Sequence, residues 1–246
     1  MLPRHGAPLG PGHYGEDRPQ YALRMPPLRY AYLHGFRSSP SAKKGLHLRD
    51  TFGPAVDFLL PDLNRPSFAK LSVGAMLAHL EWLHEEEGRP AWRIVGSSLG
   101  GWLAARWAEL HPERVDRLVL LCPAFDLAHR WPEMMDAGDF ERWRRDGEIE
   151  TEDASGAPVR LHFAFYEEAS REAQWPRVRC PVTVVHGTRD ETVPIASSRR
   201  WVPEQESARL IEVDDTHDLL ASLDLVDRAV RDTFGIGQPA ATTADG

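Results

Sequence analysis

The sequence predicts an α/β fold, in which a mostly parallel sheet carries helices on both faces. Short apolar runs rich in β-branched residues alternate along the chain with longer stretches of helical periodicity. Several of these short runs are apolar at nearly every position, which is typical of strands covered on both faces. Glycine and polar residues follow the ends of the runs, at the edge where parallel sheets hold their active sites.

The elements follow in order from their own patterns. The first strand, residues 28–33, is an apolar run that leads directly into His34-Gly35-Phe36. A helix is predicted from Ser67, as its N-cap, to about residue 87, because leucine and methionine recur there at helical spacing. The other predicted strands are residues 56–60, 93–96, 115–121, 182–186 and 209–213, and the other predicted helices are residues 43–51, 99–110 and 218–234.

The chain divides into three parts around this alternation. Residues 1–27 are rich in Pro, Gly, His and charge and are predicted to be a flexible extension. Residues 28–234 form the predicted domain, and residues 235–246 a flexible tail. Residues 126–175 mix aromatic and charged side chains and interrupt the alternation. We interpret them as a largely helical cap inserted over the carboxyl edge of the sheet; the alternative is that these aromatics only seal the insertion's own small core.

Composition limits the partners and the compartment. A length of 246 residues suits one large domain, and the formal net charge of −8 argues against binding to a nucleic-acid backbone. We expect no membrane span, because no run approaches the roughly 18 apolar residues that a span requires. The start lacks the apolar segment of a signal peptide. Cys122 and Cys180 are therefore predicted to be reduced thiols of a cytoplasmic protein.

A G-x-S-x-G motif connects one predicted strand to the helix after it. Gly96 and Gly100 flank Ser98, where a sharp strand-to-helix turn leaves no room for a Cβ and exposes the serine hydroxyl above the sheet. The motif alone is weak, since glycine and serine also serve as simple linkers. A strand before it and a helix after it are the context that a nucleophilic serine requires.

A nucleophilic serine needs a base and an acid that orients the base. Asp190 and His217 each follow a predicted strand, and the chain order Ser98, Asp190, His217 is that of an α/β-hydrolase. Each has an alternative interpretation, since His217 could cap a surface helix and Asp190 could cap the helix after Pro194. Glu191 is adjacent to Asp190, and Asp126, which follows the preceding strand, is the main rival for the acid.

The tetrahedral intermediate of acyl transfer also needs backbone N–H donors. Leu99, at the start of the helix, and Phe36, beside the permissive Gly35, are the expected donors. His34 is predicted to form structural hydrogen bonds, and Ser38 and Ser39 to be turn residues. The histidines show no spacing typical of metal ligands, so we expect neither a metal nor another cofactor.

These motifs together resemble the small bacterial YqiA-like esterases of the α/β-hydrolase superfamily. The resemblance rests on YLHGFRSSPSAK at residues 32–43, GSSLGG at residues 96–101, HGTRDETVP at residues 186–194 and DTH at residues 215–217. It implies cofactor-free hydrolysis of carboxylic esters or acyl thioesters. It also implies that Ser98 is the nucleophile, Asp190 the acid and His217 the base, with oxyanion donors at Phe36 and Leu99.

The resulting prediction is a serine hydrolase that cleaves carboxylic esters through an acyl-enzyme. An acyl-CoA or acyl-protein thioesterase would use the same residues and is the nearest alternative. A catalytically inactive hydrolase fold that serves as a binding module is the alternative from another class. A peptidase or a haloperoxidase-like use of the triad is a weaker alternative, and the sequence predicts no oligomeric state.

Overall fold

Six parallel strands form the central sheet of the computed structural model, which describes residues 27–136 and 138–237. The strands of this described part are β1 (Leu28–Leu33), β2 (Phe58–Leu59), β3 (Ala91–Ser97), β4 (Val115–Leu121), β5 (Glu148–Glu152), β6 (Pro158–His162), β7 (Val182–Gly187) and β8 (Ala208–Val213). The sheet has the order β2-β1-β3-β4-β7-β8. The predicted extension at residues 1–27, save for residue 27, and most of the predicted tail lie outside the described residues.

Within the described residues, eight α-helices surround the sheet and form its cap. They are α1 (Lys43–Phe52), α2 (Val73–Glu86), α3 (Leu99–Leu110), α4 (Leu127–Met134), α5 (Asp139–Asp146), α6 (Ala164–Arg171), α7 (Ala196–Trp201) and α8 (Leu223–Phe234). None of those in the described part of the chain combines the length and the apolar character needed to cross a bilayer.

The alternating side chains of the strands divide the core between the two faces of the sheet. In β4, Leu118 and Leu120 belong to the cluster that packs under α2 and α3, whereas Val119 and Leu121 belong to the cluster under α1 and α8. All six residues of β7 are buried, as expected for a strand with helices on both faces. The predicted parallel sheet with helices on both faces is therefore confirmed.

Several boundaries differ from the sequence prediction, such as that of β2, which keeps only Phe58–Leu59 of the predicted residues 56–60. Three further differences concern two helices and the end of the domain. Helix α2 begins at Ser72 rather than Ser67, because the Ser72 hydroxyl accepts a hydrogen bond from the Ala75 N–H at 3.1 Å. The helix predicted over residues 218–234 begins as a 3₁₀ turn, Leu220–Ser222, and becomes α-helical only at Leu223. Ile236 is buried, so the packed core extends two residues beyond the predicted end at residue 234.

The inserted cap is not largely helical. Its helices α4 and α5 are followed by an antiparallel hairpin of β5 and β6, which leads into α6. The turn of this hairpin is stabilised by Asp153, whose Oδ1 accepts from the Ser155 N–H at 2.8 Å and from the Ser155 hydroxyl at 2.6 Å. Such an Asx turn before Gly156 favours a hairpin. The residues of β5 and β6 are too polar to show the apolar alternation from which a strand is predicted.

Candidate active site

Ser98 lies at the junction of β3 and α3 in a conformation that few non-glycine residues adopt. Its φ is 53° and its ψ is −118°, so the backbone reverses sharply between strand and helix. Its N–H donates to the Leu121 carbonyl at 2.9 Å, and its own carbonyl accepts from the Ala124 N–H at 3.0 Å. Hydrogen bonds to the end of β4 therefore stabilise this strained turn.

The glycines of the motif are required by close backbone contacts. A Cβ on Gly96 would lie 2.5 Å from the Gly100 carbonyl oxygen, and a Cβ on Gly100 would lie 2.3 Å from the Leu33 carbonyl oxygen. Gly35, after β1, is also close, since its Cβ would lie 3.2 Å from the Ser98 Cβ. The loop after β1 and the turn at Ser98 thus pack backbone against backbone.

Asp190 and His217 are brought together from the loops after β7 and β8. His217 Nδ1 donates to Asp190 Oδ2 at 2.7 Å, while Asp190 Oδ1 accepts from the N–H groups of Thr192 at 2.9 Å and Val193 at 2.7 Å. The Asp190 side chain is fully buried, and the His217 side chain is 25% exposed. The carboxylate is therefore fixed and the imidazole is accessible.

These hydrogen bonds decide the charge of Asp190. Burial alone would raise its pKa, but hydrogen bonds from His186, His217 and the Val193 N–H outweigh burial and hold the pKa well below its usual range. Asp190 is consequently an anion at neutral pH, in the form that accepts a hydrogen bond from an imidazole N–H.

His186 is a second histidine that contacts the same carboxylate, and no role was predicted for it from the sequence. The fully buried ring has Nε2 3.2 Å from Asp190 Oδ2 and 2.9 Å from the Val193 carbonyl oxygen. Its Nδ1 accepts from the Ser198 hydroxyl at 2.7 Å, which leaves the proton on Nε2. Its position in the sequence, at the end of β7 and four residues before Asp190, could have indicated that it contacts this carboxylate.

Ser98 and His217 line one cavity of about 270 Å³. It is formed by the loop after β1, the first turn of α1, the turn at Ser98 and the loop after β8. Its lining residues are Tyr32, Gly35, Phe36, Ser38, Ala42, Lys43, Lys44, Ser97, Ser98, His217, Asp218 and Leu220. Residues 126–136 and 138–175 of the cap contribute nothing to this lining.

The cap instead contacts the site through Phe36. The Phe36 ring stacks on Phe165 of α6 with centroids 6.1 Å apart, and it meets Trp131 of α4 edge-on at 5.5 Å. Phe165 and Trp143 are fully buried, so the cap aromatics form a packed core. The cap aromatics therefore pack as the alternative interpretation expected, by sealing a core. This core also includes Phe36, which lies outside the cap.

Two other residues considered from the sequence lie in different surroundings. Asp126 has a left-handed φ of 61° before α4 and pairs with His129 Nδ1 at 2.6 Å. His34 is buried, donates from Nδ1 to the Gly35 carbonyl and accepts from the Leu63 N–H at 3.0 Å. His34 thus forms the structural hydrogen bonds expected of it.

One group of side chains could in principle hold a metal. Ligand atoms of Cys122, His186 and Asp190 all lie within 4.8 Å of one another. Both nitrogens of His186 and both oxygens of Asp190 already form the hydrogen bonds described above, and burial raises the pKa of the Cys122 thiol. The three side chains are therefore better suited to a hydrogen-bonded network around the Asp190 carboxylate than to a metal centre.

Known proteins resemble this chain in sequence. The profile of the uncharacterised protein family UPF0227 matches residues 29–230. The pimeloyl-[acyl-carrier protein] methyl ester esterase of Chromobacterium violaceum is 27% identical and spans 65% of this chain and 70% of its own. The mitochondrial palmitoyl-protein thioesterase ABHD10 of Rattus norvegicus is 25% identical and spans 80% of this chain and 74% of its own.

Solved structures share the architecture at lower identity. Mouse alpha/beta hydrolase domain-containing protein 10 superposes with a TM-score of 0.66 at 21% identity, covering 82% of this chain and 88% of its own. Est1E from Butyrivibrio proteoclasticus, with ferulic acid bound, has a TM-score of 0.66 at 20% identity and covers 88% of this chain and 91% of its own. These structures show the α/β-hydrolase fold, and the esterase and thioesterase relatives support a hydrolase. Since the family profile covers nearly all of the described residues, the chain belongs to UPF0227, the YqiA-like family of the α/β-hydrolase superfamily.

Proposed function

We propose that this protein is a serine hydrolase that cleaves carboxylic esters through an acyl-enzyme. Ser98 is the nucleophile, His217 the base and Asp190 the acid that orients the base. The observation that carries the proposal is the 2.7 Å bond between His217 and the buried Asp190, at a cavity that Ser98 also lines. This is the set of roles that converts a weakly nucleophilic hydroxyl into an attacking alkoxide.

The proposed reaction has two steps. In the first, Ser98 Oγ attacks the ester carbonyl while His217 Nε2 takes the hydroxyl proton, and the carbonyl oxygen becomes an oxyanion. The C–O bond to the leaving alcohol then breaks, with the proton on Nε2 passing to the alcohol. In the second step water attacks the acyl-enzyme by the same route, releasing the acid and restoring the Ser98 hydroxyl.

The oxyanion would be stabilised by the N–H groups of Phe36 and Leu99. Leu99 is the first residue of α3, where N–H groups lack partners within the helix and the helix dipole is positive. The close approach of the Gly35 backbone to Ser98 supports a donor from the next residue, Phe36. Two such donors, fixed before the substrate binds, stabilise the developing negative charge without reorganisation.

An acyl thioesterase is the second candidate, and the relationship to the rat palmitoyl-protein thioesterase favours it. The same three residues would serve, because a thioester differs only in its leaving group. Hydrolysis of p-nitrophenyl esters and acyl-CoA thioesters of graded chain length separates the two candidates. The cytoplasmic location stays a prediction of the sequence.

The decisive experiment compares the parent with Ser98→Ala. We expect kcat/KM for p-nitrophenyl butyrate to fall by on the order of 10⁴ or more, because the nucleophile is lost. The parent should react with a fluorophosphonate probe and Ser98→Ala should not. If Ser98→Ala hydrolyses the ester as fast as the parent, the proposal is wrong, and absence of labelling in the parent would favour an inactive binding module.

A further inference from the structure

Lysine is rare in this chain, and its placement is uneven. Of the 29 lysines and arginines, only three are lysines, namely Lys43, Lys44 and Lys70. Lys43 and Lys44 are adjacent and both line the cavity that contains Ser98 and His217. Because the chain uses arginine almost everywhere else, a lysine pair at the candidate active site calls for a specific reason.

Lys44 is held as a half-buried cation beside the His217 loop. Its Nζ donates to the Asp218 main-chain carbonyl at 2.9 Å. Burial lowers its pKa, against the opposing effect of nearby groups that include the Asp218, Asp190 and Asp215 carboxylates. An ammonium has three donors, so this single bond leaves two of them for another acceptor.

The carboxylates near this lysine pair act on it only from beyond salt-bridge distance. In the described part of the chain, neither Lys43 nor Lys44 forms a salt bridge, whereas arginines such as Arg93 and Arg106 contact carboxylates at 2.6 Å and 2.8 Å. Asp218 also lines the cavity, but its Oδ1 accepts from the Thr216 hydroxyl at 3.1 Å and the Leu220 N–H at 3.2 Å. The cavity therefore has two ammonium groups and one carboxylate.

The chemistry of lysine suits this position better than that of arginine. An ammonium is a compact charge on a flexible stem, whereas a guanidinium needs a planar space and several acceptors in its plane. The first turn of α1 has no acidic side chain that would neutralise the pair. A poorly solvated cation with free donors attracts an anion more strongly than an exposed one does.

We propose that the substrates of this protein carry an anionic group, a carboxylate, phosphate or sulfate, which Lys44 Nζ binds while Lys43 adds positive charge at the cavity mouth. Lys44 is thus a specificity-determining residue, and the anionic group is on either the acyl part or the leaving group. This inference rests on the proposed ester hydrolysis at Ser98. It also assigns substrate selection to the start of α1 rather than to the cap.

The first test uses the unmodified protein and two matched ester pairs at pH 7. One pair places the charge on the acyl part: mono-p-nitrophenyl glutarate against p-nitrophenyl hexanoate. The other places it on the leaving group: p-carboxyphenyl butyrate against p-acetylphenyl butyrate. We expect kcat/KM for the anionic member of one pair to be higher by about tenfold or more, with the preference shrinking as NaCl is added. Equal or better hydrolysis of the neutral member in both pairs overturns the proposal.

The second test compares Lys44→Met with Lys70→Met, which removes the same charge from an exposed loop. We expect Lys44→Met to lower the anionic-to-neutral ratio of kcat/KM by about 10- to 100-fold, the range of a charged hydrogen bond, while Lys70→Met keeps the ratio. Lys43→Met, at an exposed position, should lower it less. A loss in Lys44→Met that is equal for both members means that Lys44 only supports the His217 loop, and this overturns the proposal.

These outcomes are separable from failure of the proposed function. If the unmodified protein hydrolyses none of the four esters and no fluorophosphonate labels Ser98, ester hydrolysis itself is wrong. If it hydrolyses them without preferring the charged member of either pair, ester hydrolysis stands and the role of Lys44 is wrong. Should Lys44→Met not fold, the substrate ratio of the unmodified protein and its salt dependence still test whether an anionic substrate is preferred. Lys43→Met then tests whether the charge of the lysine pair causes that preference.

Discussion

At the scale of single residues, the organising group is the carboxylate of Asp190. Its two oxygens accept from two backbone N–H groups and from two histidines, of which His186 is fully buried and His217 lines the cavity. The buried histidine and the backbone donors leave Asp190 Oδ2 no alternative position. Of the two histidines that contact Oδ2, His217 lines the cavity and His186 does not, so His217 is the one that the proposed mechanism uses as the base.

The choice of Asp190 over Asp126 gives a matched pair of variants. Asp190→Asn should lower kcat/KM for p-nitrophenyl butyrate by on the order of 10⁴, because an amide favours the wrong tautomer of the imidazole. Asp126→Asn makes the same chemical change beside His129 and should stay close to the parent. Steady-state kinetics of both purified variants checks this, and the reverse order of activities contradicts the assignment of Asp190.

At the scale of elements, the sequence predicts best where one local pattern determines the backbone. The bounds of α3 and β4 agree with the prediction, because the G-x-S-x-G motif marks the start of the helix and the apolar run of residues 115–121 marks the strand. The hairpin at Asp153 was missed because β5 and β6 are half-exposed and polar, so their pairing depends on tertiary contacts. His186 was missed for a related reason, since its role depends on a loop that folds back over it.

The contact between the turn at Ser98 and β1 predicts a strong effect of one methyl group. A Cβ added to Gly100 would lie 2.3 Å from the Leu33 oxygen and 2.5 Å from the His34 oxygen, and both are backbone atoms. Gly100→Ala should therefore lower the free energy of unfolding by about 1–3 kcal/mol and reduce ester hydrolysis. Urea unfolding followed by tryptophan fluorescence measures the loss of stability.

Gly74, in helix α2, provides the control for this substitution. The nearest atom to an added Cβ is the Ser72 hydroxyl oxygen at 3.7 Å, an ordinary contact. Because alanine favours a helix over glycine by up to about 1 kcal/mol, Gly74→Ala should be as stable as the parent or more so. Equal stability of the two alanine variants would mean that the backbone contact at Gly100 is readily relaxed.

At the scale of the whole molecule, buried histidines connect different elements of the fold. His34, after β1, accepts from the Leu63 N–H, and His84 of α2 accepts from the Trp92 indole N–H in β3 at 3.1 Å. Both rings need a nitrogen without a proton to accept these bonds. The packing of the first half of the sheet therefore depends on two neutral imidazoles.

This dependence sets the direction in which stability changes with pH. Burial lowers the pKa of His34 and also that of His84, so the folded protein resists protonation of both rings. The unfolded chain takes up protons at its histidines near pH 6.5, about the ordinary pKa of the side chain. Below that pH the unfolded state binds more protons, and the free energy of unfolding decreases; above it, the contribution is constant.

The test is urea unfolding at several pH values on either side of the ordinary histidine pKa. The parent should lose stability as the pH falls below about 6.5. His34→Gln should lose less over the same interval, because an amide oxygen can accept the Leu63 N–H at any of these pH values. His162→Gln removes a histidine whose side chain is 45% exposed and should leave the slope near that of the parent. A parent whose stability does not change below this pH, or a His34→Gln variant with an unchanged slope, would show that the fold does not depend on a neutral His34.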